Sequence, residues 1–184
     1  EVLYEGSREI QLPQAEQPME SYYVYGPDGE VAILSTAGEA ISLAYEISGT
    51  VTGESGAYVW RKDKINTKNQ IMAIEASPVT EDKNSLAVCL DTILAYEGIM
   101  RNSEYMLTQG KTVQEVLQEN LENVQVLDLS GCTLDSVLYY PDREIPVLAM
   151  LGDGNAVLII GFNEKNVVLM NPETDKVYKM GMND

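Results

Sequence analysis

The sequence predicts an α+β fold, because helical patterns precede strand patterns in the longer, C-terminal part of the chain. One apolar stripe recurs at helical spacing, at Leu86, Cys89, Leu90, Ile93 and Leu94. Four strand-like runs come later, namely IPVLAML, AVLIIGF, NVVLM and KVYKM. We therefore expect helices packed on an antiparallel sheet, with a small ββαββ unit in front of them.

The N-terminal part divides into a lead-in and a compact unit. Residues 1–20 are polar and without periodicity, so we interpret them as a lead-in segment. Residues 21–70 form the predicted ββαββ unit and its polar linker, with turn signals at residues 26–29 and 53–56. Thr36 and Glu39 fit a capping box, and Gly49 is a predicted helix stop. A unit this small buries little surface, so we expect it to pack against the rest of the chain.

Residues 71–184 form the second predicted unit. A helix ends near Gly98, and a second helix begins at Thr112 with another capping box. A third, short helix is expected near residues 133–140. The run IMAIEA is a candidate strand at the start of the unit, and residues 163–166 make a turn between the second and third late strands.

The charge is strongly acidic, with 29 Asp and Glu against 12 Lys and Arg, a net −17 and a pI near 4.2. Such a field repels nucleic acid and anionic membranes, so we expect neither as a partner. A calcium site needs clustered oxygen ligands, and the acidic residues are too sparse for one, as in the pairs Asp28, Glu30 and Asp153, Asp175. No apolar run approaches the ~18 residues of a membrane span, and no signal-peptide pattern is present.

The two cysteines, Cys89 and Cys132, show no metal-binding spacing, and the chain contains no histidine. A zinc site and any other cofactor are therefore not expected. Cys89 lies in the apolar stripe and is predicted to be a small buried hydrophobe. A Cys89–Cys132 disulfide stays an open alternative, because a sequence does not give the geometry.

The order of motifs over residues 71–180 carries a family resemblance. SLAVCLDTILAYEGI is followed by two helices, then by TLDSVLYYPDREIPVLAML, and finally by NAVLIIGFNEKNVVLMNP. This order resembles the bacterial papain-like cysteine peptidases related to bacteriocin leader-processing enzymes. The resemblance implies a papain-like fold for residues 71–184. It also implies a secreted or surface-attached protein of a Gram-positive bacterium.

The family's chemistry uses a cysteine at a helix N-terminus, a histidine base, an Asp or Asn that orients the histidine, and a glutamine before the cysteine. The resemblance carries the cysteine position to Ser85, the histidine position to Asn155 and the orienting position to Asn171. Thr80 lies nearest the glutamine position, and Cys89 matches a second, buried cysteine of the helix. Only Asn171 is compatible with the family's catalysis.

Ser85 and Asn155 therefore predict a peptidase scaffold without peptidase chemistry. Asparagine does not accept a proton near neutral pH, and Lys83 and Lys165 are poorly placed to replace a histidine. Ser85 is alternatively a helix cap, and Asn155 a polar residue of a vestigial cleft or a ligand contact. We expect Ser85, Asn155 and Asn171 to bound a shallow polar pocket.

Two functions are left open by the sequence. The favoured one is a catalytically inactive papain-like domain that binds a peptide, a glycan or a protein, or acts as a structural module. The alternative is an active cysteine-peptidase-like hydrolase or acyltransferase with an unrecognised catalytic residue set. The absence of histidine favours the first.

Overall fold

A computed structural model of the chain describes residues 20–62 and 70–184. Both ranges together form an α+β structure with two antiparallel sheets and several helices. The predicted lead-in segment lies outside the described residues except for Glu20, and so does most of the predicted linker, at residues 63–69. None of the helices in the two described ranges has the length and apolar character that spanning a membrane requires.

The first sheet has the predicted ββαββ pattern. It contains β1 (Tyr22–Gly26), β2 (Gly29–Leu34), β3 (Thr50–Thr52) and β4 (Tyr58–Arg61), in the order β2-β1-β3-β4. Helix α1 (Ala37–Ile47) connects the two hairpins and packs on one face of the sheet. The alternation of buried Tyr22 and Val24 with half-exposed neighbours explains this arrangement, because period-two burial gives a strand one covered face.

Helix α1 begins where the sequence predicts but ends one residue earlier than its stop signal. The Thr36 hydroxyl accepts a hydrogen bond from the Glu39 N–H at 3.3 Å, which caps the first turn. The left-handed residue at the C-terminus is Ser48, with φ 54°, rather than Gly49. Glycine is required at position 49 for a different reason, because a Cβ there would collide with the carbonyl oxygen of Tyr25.

The second sheet comes after a group of helices. The helices are α2 (Ser85–Tyr96), α3 (Ser103–Thr108), α4 (Val113–Asn120) and α5 (Leu134–Val137), followed by a 3₁₀ turn at Pro141–Arg143. The strands are β5 (Gln70–Ile71), β6 (Val147–Met150), β7 (Ala156–Phe162), β8 (Asn166–Asn171) and β9 (Lys176–Gly181). β5 and β6 pair with successive stretches of one edge of β7, and β8 and β9 continue the sheet beyond its other edge.

Strand β7 is buried along its entire length, so its two faces belong to two apolar clusters. Leu158 and Ile160 pack with Leu90 and Leu94 of α2, and we call this cluster the helical core. The α2 stripe is buried from Cys89 to Leu94, with Leu90 and Leu94 at 0% exposure, whereas Leu86 is half-buried. Val157 and Ile159 face the other way, into a second cluster that we call the shared core, and Phe162 joins them after the register shift between Ile159 and Gly161.

The shared core joins the ββαββ unit to the second sheet. Trp60 of β4 is fully buried, and its indole N–H donates to the Ser136 carbonyl at 2.8 Å. The Tyr140 hydroxyl donates in turn to the Val59 carbonyl at 3.1 Å. A Cβ at Gly38 would collide with the carbonyl oxygen of Ser130, so α1 approaches that loop closely. The ββαββ unit thus packs against the C-terminal part of the chain, as its small size predicts.

Because one core is shared, we expect the described parts of the chain to unfold in a single cooperative transition. Trp60, the only tryptophan, reports on the ββαββ unit by fluorescence, and far-UV circular dichroism reports on the whole chain. The two denaturation curves should coincide in midpoint and slope. A Trp60 transition at clearly lower denaturant than the dichroism transition would contradict a common core.

Candidate functional site

The candidate site begins where α2 begins. Asn84 is the N-cap of this helix, and its side-chain oxygen accepts a hydrogen bond from the Ala87 N–H at 2.9 Å. An Asn N-cap satisfies one of the amides that the first helical turn leaves without a partner. Ser85 is therefore the first helical residue rather than the cap, and its hydroxyl is available for a contact outside the helix.

The Ser85 hydroxyl joins the start of α2 to the start of β7. It accepts a hydrogen bond from the Ala156 N–H at 3.0 Å and donates to the Asn155 side-chain oxygen at 3.5 Å. Ser85 is only 3% exposed, and Ala156 is fully buried. The structure therefore brings Ser85 and Asn155 together, in the neighbourhood that the sequence predicts for them.

Asp153 holds the side chain of Asn155 from the opposite side. The Asn155 amide nitrogen Nδ2 donates to Asp153 Oδ2 at 3.2 Å, and the Asn155 backbone N–H donates to Asp153 Oδ1 at 3.0 Å. The loop closes further because the Leu151 N–H donates to the Asn155 carbonyl at 2.7 Å. The result is a chain of hydrogen bonds from Asp153 through Asn155 to Ser85.

Asn171 has different partners from those that the sequence predicts. The pairing of Leu158 with Met170 puts Asn171 at the same end of the sheet as Asn155. Its side-chain nitrogen donates to the Tyr178 hydroxyl at 3.2 Å, and its side-chain oxygen accepts from the Glu173 N–H at 3.0 Å. These contacts close the turn between β8 and β9, as Asn side chains commonly do in turns. Asp153, rather than Asn171, orients Asn155.

Sequence reasoning missed Asp153 as part of the site, although a signal for it was present. Asp and Asn side chains often accept a hydrogen bond from the backbone N–H two residues ahead, and Asp153-Gly154-Asn155 has that spacing. No such local signal predicts that the Ser85 hydroxyl accepts a hydrogen bond from the Ala156 N–H. It depends on how closely helix and strand approach.

The lysine nearest to Ser85 in sequence is engaged elsewhere. Lys83 Nζ lies 2.6 Å from Asp91 Oδ2, in an ion pair along α2. Thr80 and Lys83 form a tight turn before the helix, with the Thr80 N–H donating to the Lys83 carbonyl at 3.0 Å. Lys165 lies in the turn after β7, and its backbone N–H donates to Asn163. The pairing of Lys83 with Asp91 gives its ammonium a partner other than the Ser85 hydroxyl.

Both cysteines are free thiols, so the Cys89–Cys132 disulfide that the sequence left open is not formed. Cys89 belongs to the helical core, and Cys132 packs against the shared core on the other face of the second sheet. Burial raises the pKa of the Cys89 thiol to about 12, so this group stays protonated at neutral pH. Cys89 is the small buried hydrophobe that its position predicts.

In the described part of the chain, neither similarity to known proteins nor a cluster of metal ligands adds residues to the site. No family model, curated protein or solved structure matches the chain. Across residues 20–62 and 70–184, His, Cys, Asp and Glu side chains form no group of three or more that could hold a metal ion.

The arrangement is suited to holding polar groups in place rather than to transferring protons. A nucleophilic hydroxyl needs a neighbouring base, and a carboxamide oxygen accepts hydrogen bonds without taking up a proton near neutral pH. The Ser85 oxygen already accepts the Ala156 N–H. The contact therefore fixes α2 against β7.

We expect Ser85→Ala to lower the free energy of unfolding by about 1–3 kcal/mol, because it leaves the buried Ala156 N–H without an acceptor. The measurement is chemical denaturation. Ser103→Ala is the matched control, since Ser103 is also a buried first residue of a helix. Its hydroxyl has no hydrogen-bond partner among the described residues, so its removal should be nearly neutral. Equal losses in both variants would refute the structural role of the Ser85 hydroxyl.

Proposed function

We propose that residues 71–184 form a catalytically inactive domain of papain-like fold, related to cysteine peptidases, that serves as a binding or structural module. The proposal rests on one observation above all. At the helix start where such a peptidase carries its nucleophile, Ser85 lies within hydrogen-bond distance of Asn155, at 3.5 Å. Asn155 occupies the position that the sequence assigns to the missing base.

The topology supports the proposed fold. Helix α2 packs its apolar stripe on β7, a central strand of the antiparallel second sheet. The helix begins beside the first residues of that strand. In a cysteine peptidase, this arrangement exposes the nucleophile to free backbone amides at a helix N-terminus and holds the base rigidly on the sheet. The same backbone arrangement persists without the catalytic side chains, because close packing of the apolar faces maintains it.

The side chains support the proposed loss of activity. The chain has no histidine, and Asn155 cannot act as a general base. Lys83 is paired with Asp91, and the Cys89 thiol is buried and protonated. What the site offers a partner is the exposed Asp153 and the half-exposed Asn155, whose polar groups suit hydrogen bonding to a peptide, a glycan or a protein. By the resemblance, we assign the domain to a secreted or cell-surface protein of a Gram-positive bacterium.

The first test is turnover. The protein should leave unstructured peptide substrates intact over a long incubation, because the Ser85 hydroxyl donates to a carboxamide oxygen, which does not take up its proton. Product formation is followed by mass spectrometry of a mixed peptide library, beside Ser85→Ala prepared in the same way. Cleavage that is present in the parent chain and lost in Ser85→Ala would establish the hydrolase alternative instead.

The second test asks whether the geometry of a peptidase site persists. Ser85→Cys combined with Asn155→His should give a thiol whose apparent pKa falls below the usual value of about 8.5, because the imidazolium stabilises the thiolate. The readout is the pH dependence of alkylation by iodoacetamide, in a Cys132→Ser background that leaves only the buried Cys89 as a second thiol. Ser85→Cys alone is the control. Identical pH profiles for the two proteins would contradict a degenerate peptidase site.

A further inference from the structure

Strand β2 has one edge without a strand partner in the described part of the chain, and we call it the free edge. It lies at the end of the first sheet, and β1 is the strand that pairs with it among residues 20–62 and 70–184. The other edge of such a strand presents backbone N–H and C=O groups that can pair with another extended segment. β2 is also largely exposed, including Val31 at 55% and Ile33 at 54%.

Beyond Glu30, the free edge of β2 lacks the side chains that usually discourage pairing. Proteins protect exposed edges with lysine, with proline, with bulges or with a covering element. β9, an outer strand of the second sheet, carries Lys176 and Lys179, whereas β2 carries neither lysine nor proline. Glu30 and a register irregularity near Val31 protect only the first part of β2, and the pairing of Ala32–Leu34 with β1 beyond them is regular.

The charge around β2 has a single sign. Residues 20–60 contain no Lys or Arg, and all six of their acidic side chains are exposed: Glu20, Asp28, Glu30, Glu39, Glu46 and Glu54. The first basic residues beyond this stretch, Arg61 and Lys62, lie at the end of β4, on the opposite edge of the sheet. A segment that approaches β2 therefore meets acidic and no basic side chains from residues 20–60, which favours a positively charged partner.

We propose that the free edge of β2 is a docking site for an extended, basic polypeptide segment of another protein, which adds to the first sheet as a further strand. The cross-strand register defines the preferred sequence. Glu30 pairs with Tyr25 and Ile33 with Tyr23, so both point to the face away from the buried Tyr22 and Val24. A basic residue opposite Glu30 and an apolar residue opposite Ile33 make the complementary pairs.

Charge also selects against two other occupants of the edge. A second copy of the chain brings another net charge of −17. Residues 1–19 carry Glu1, Glu5, Glu9 and Glu16 against Arg8, so they too are acidic. Both are repelled by the same surface that attracts a basic segment. The site lies in the ββαββ unit, so it does not depend on the function proposed for Ser85 and Asn155.

The test uses the full chain and a labelled peptide of alternating Lys and Val, about eight residues long, a common strand length. Fluorescence anisotropy should give saturable binding that weakens as salt is added. Hydrogen exchange of the β2 amides should slow when the peptide is present. The same peptide with one of its central valines replaced by proline should fail to bind, because proline cannot complete the ladder.

Two pairs of variants locate the contact. Ile33→Lys should weaken binding about tenfold, because it puts a charged side chain opposite an apolar one and adds positive charge beside a basic peptide, while Val177→Lys adds the same charge to β9 without effect. Glu30→Lys should weaken binding similarly, and the matched control is Glu164→Lys in the turn after β7, which should bind as the parent does. Equal effects within either pair would mean that net charge alone governs binding, and would overturn the proposal.

Three further outcomes would also overturn it. Binding of the proline peptide as tightly as the parent peptide would exclude strand pairing. A dimer in analytical ultracentrifugation whose β2 amides are protected would identify a second copy as the occupant. A monomer whose outward β2 amides exchange slowly without added peptide would mean that the chain covers its own edge.

Discussion

The double burial of β7 is the constraint on which the rest of the structure depends. All seven of its residues are buried, so apolar layers must cover both faces of the second sheet. β8 meets the same requirement, with Val168 and Met170 in the helical core and Val167 and Leu169 in the shared core. Helices α2 and α4 cover one face, while the ββαββ unit and residues 137–140 cover the other. Without the cover that the N-terminal unit supplies, one face of β7 would meet water, at a cost of roughly 25 cal/mol for every Å² of apolar surface exposed.

This dependence explains why the ββαββ unit is bound by specific polar contacts as well as by apolar area. The indole of Trp60 is too large to be buried without a partner for its N–H, and the Ser136 carbonyl supplies one. The Tyr140 hydroxyl meets the same requirement through the Val59 carbonyl. Each of these bonds has a donor on one side of the shared core and an acceptor on the other, so they fix the orientation of the two parts as well as their association.

The sequence predicts the elements better than it predicts their relations. The α2 stripe, the late strands and both hairpin turns of the ββαββ unit are predictable from periodicity and turn residues, because these signals are local. The faces of β7 are not, since a continuous apolar run lacks the alternation that assigns residues to sides. The bond between Trp60 and Ser136 spans 76 positions and has no local signal. In the site, only the family resemblance predicts that Ser85 and Asn155 lie together. The same resemblance places Asn171 beside Asn155, whereas the Asn171 side chain instead forms hydrogen bonds within the turn after β8.

The hydrogen bonds of the site hold the start of α2 against the start of β7. A helix start and a strand start that approach each other leave backbone amides that need acceptors, since a buried N–H without a partner is costly. Ser85 supplies the acceptor for Ala156, and Asp153 fixes the carboxamide that Ser85 contacts. Each of these side chains is neutral or partly exposed, so the arrangement buries no unpaired charge.

A thiolate–imidazolium pair at the same positions would require two charges to be held in a largely buried place, and such a pair is maintained only where catalysis requires it. If the domain is inactive as proposed, the Ser and Asn side chains therefore stabilise the junction of α2 and β7 in the place where a peptidase would sacrifice stability for reactivity.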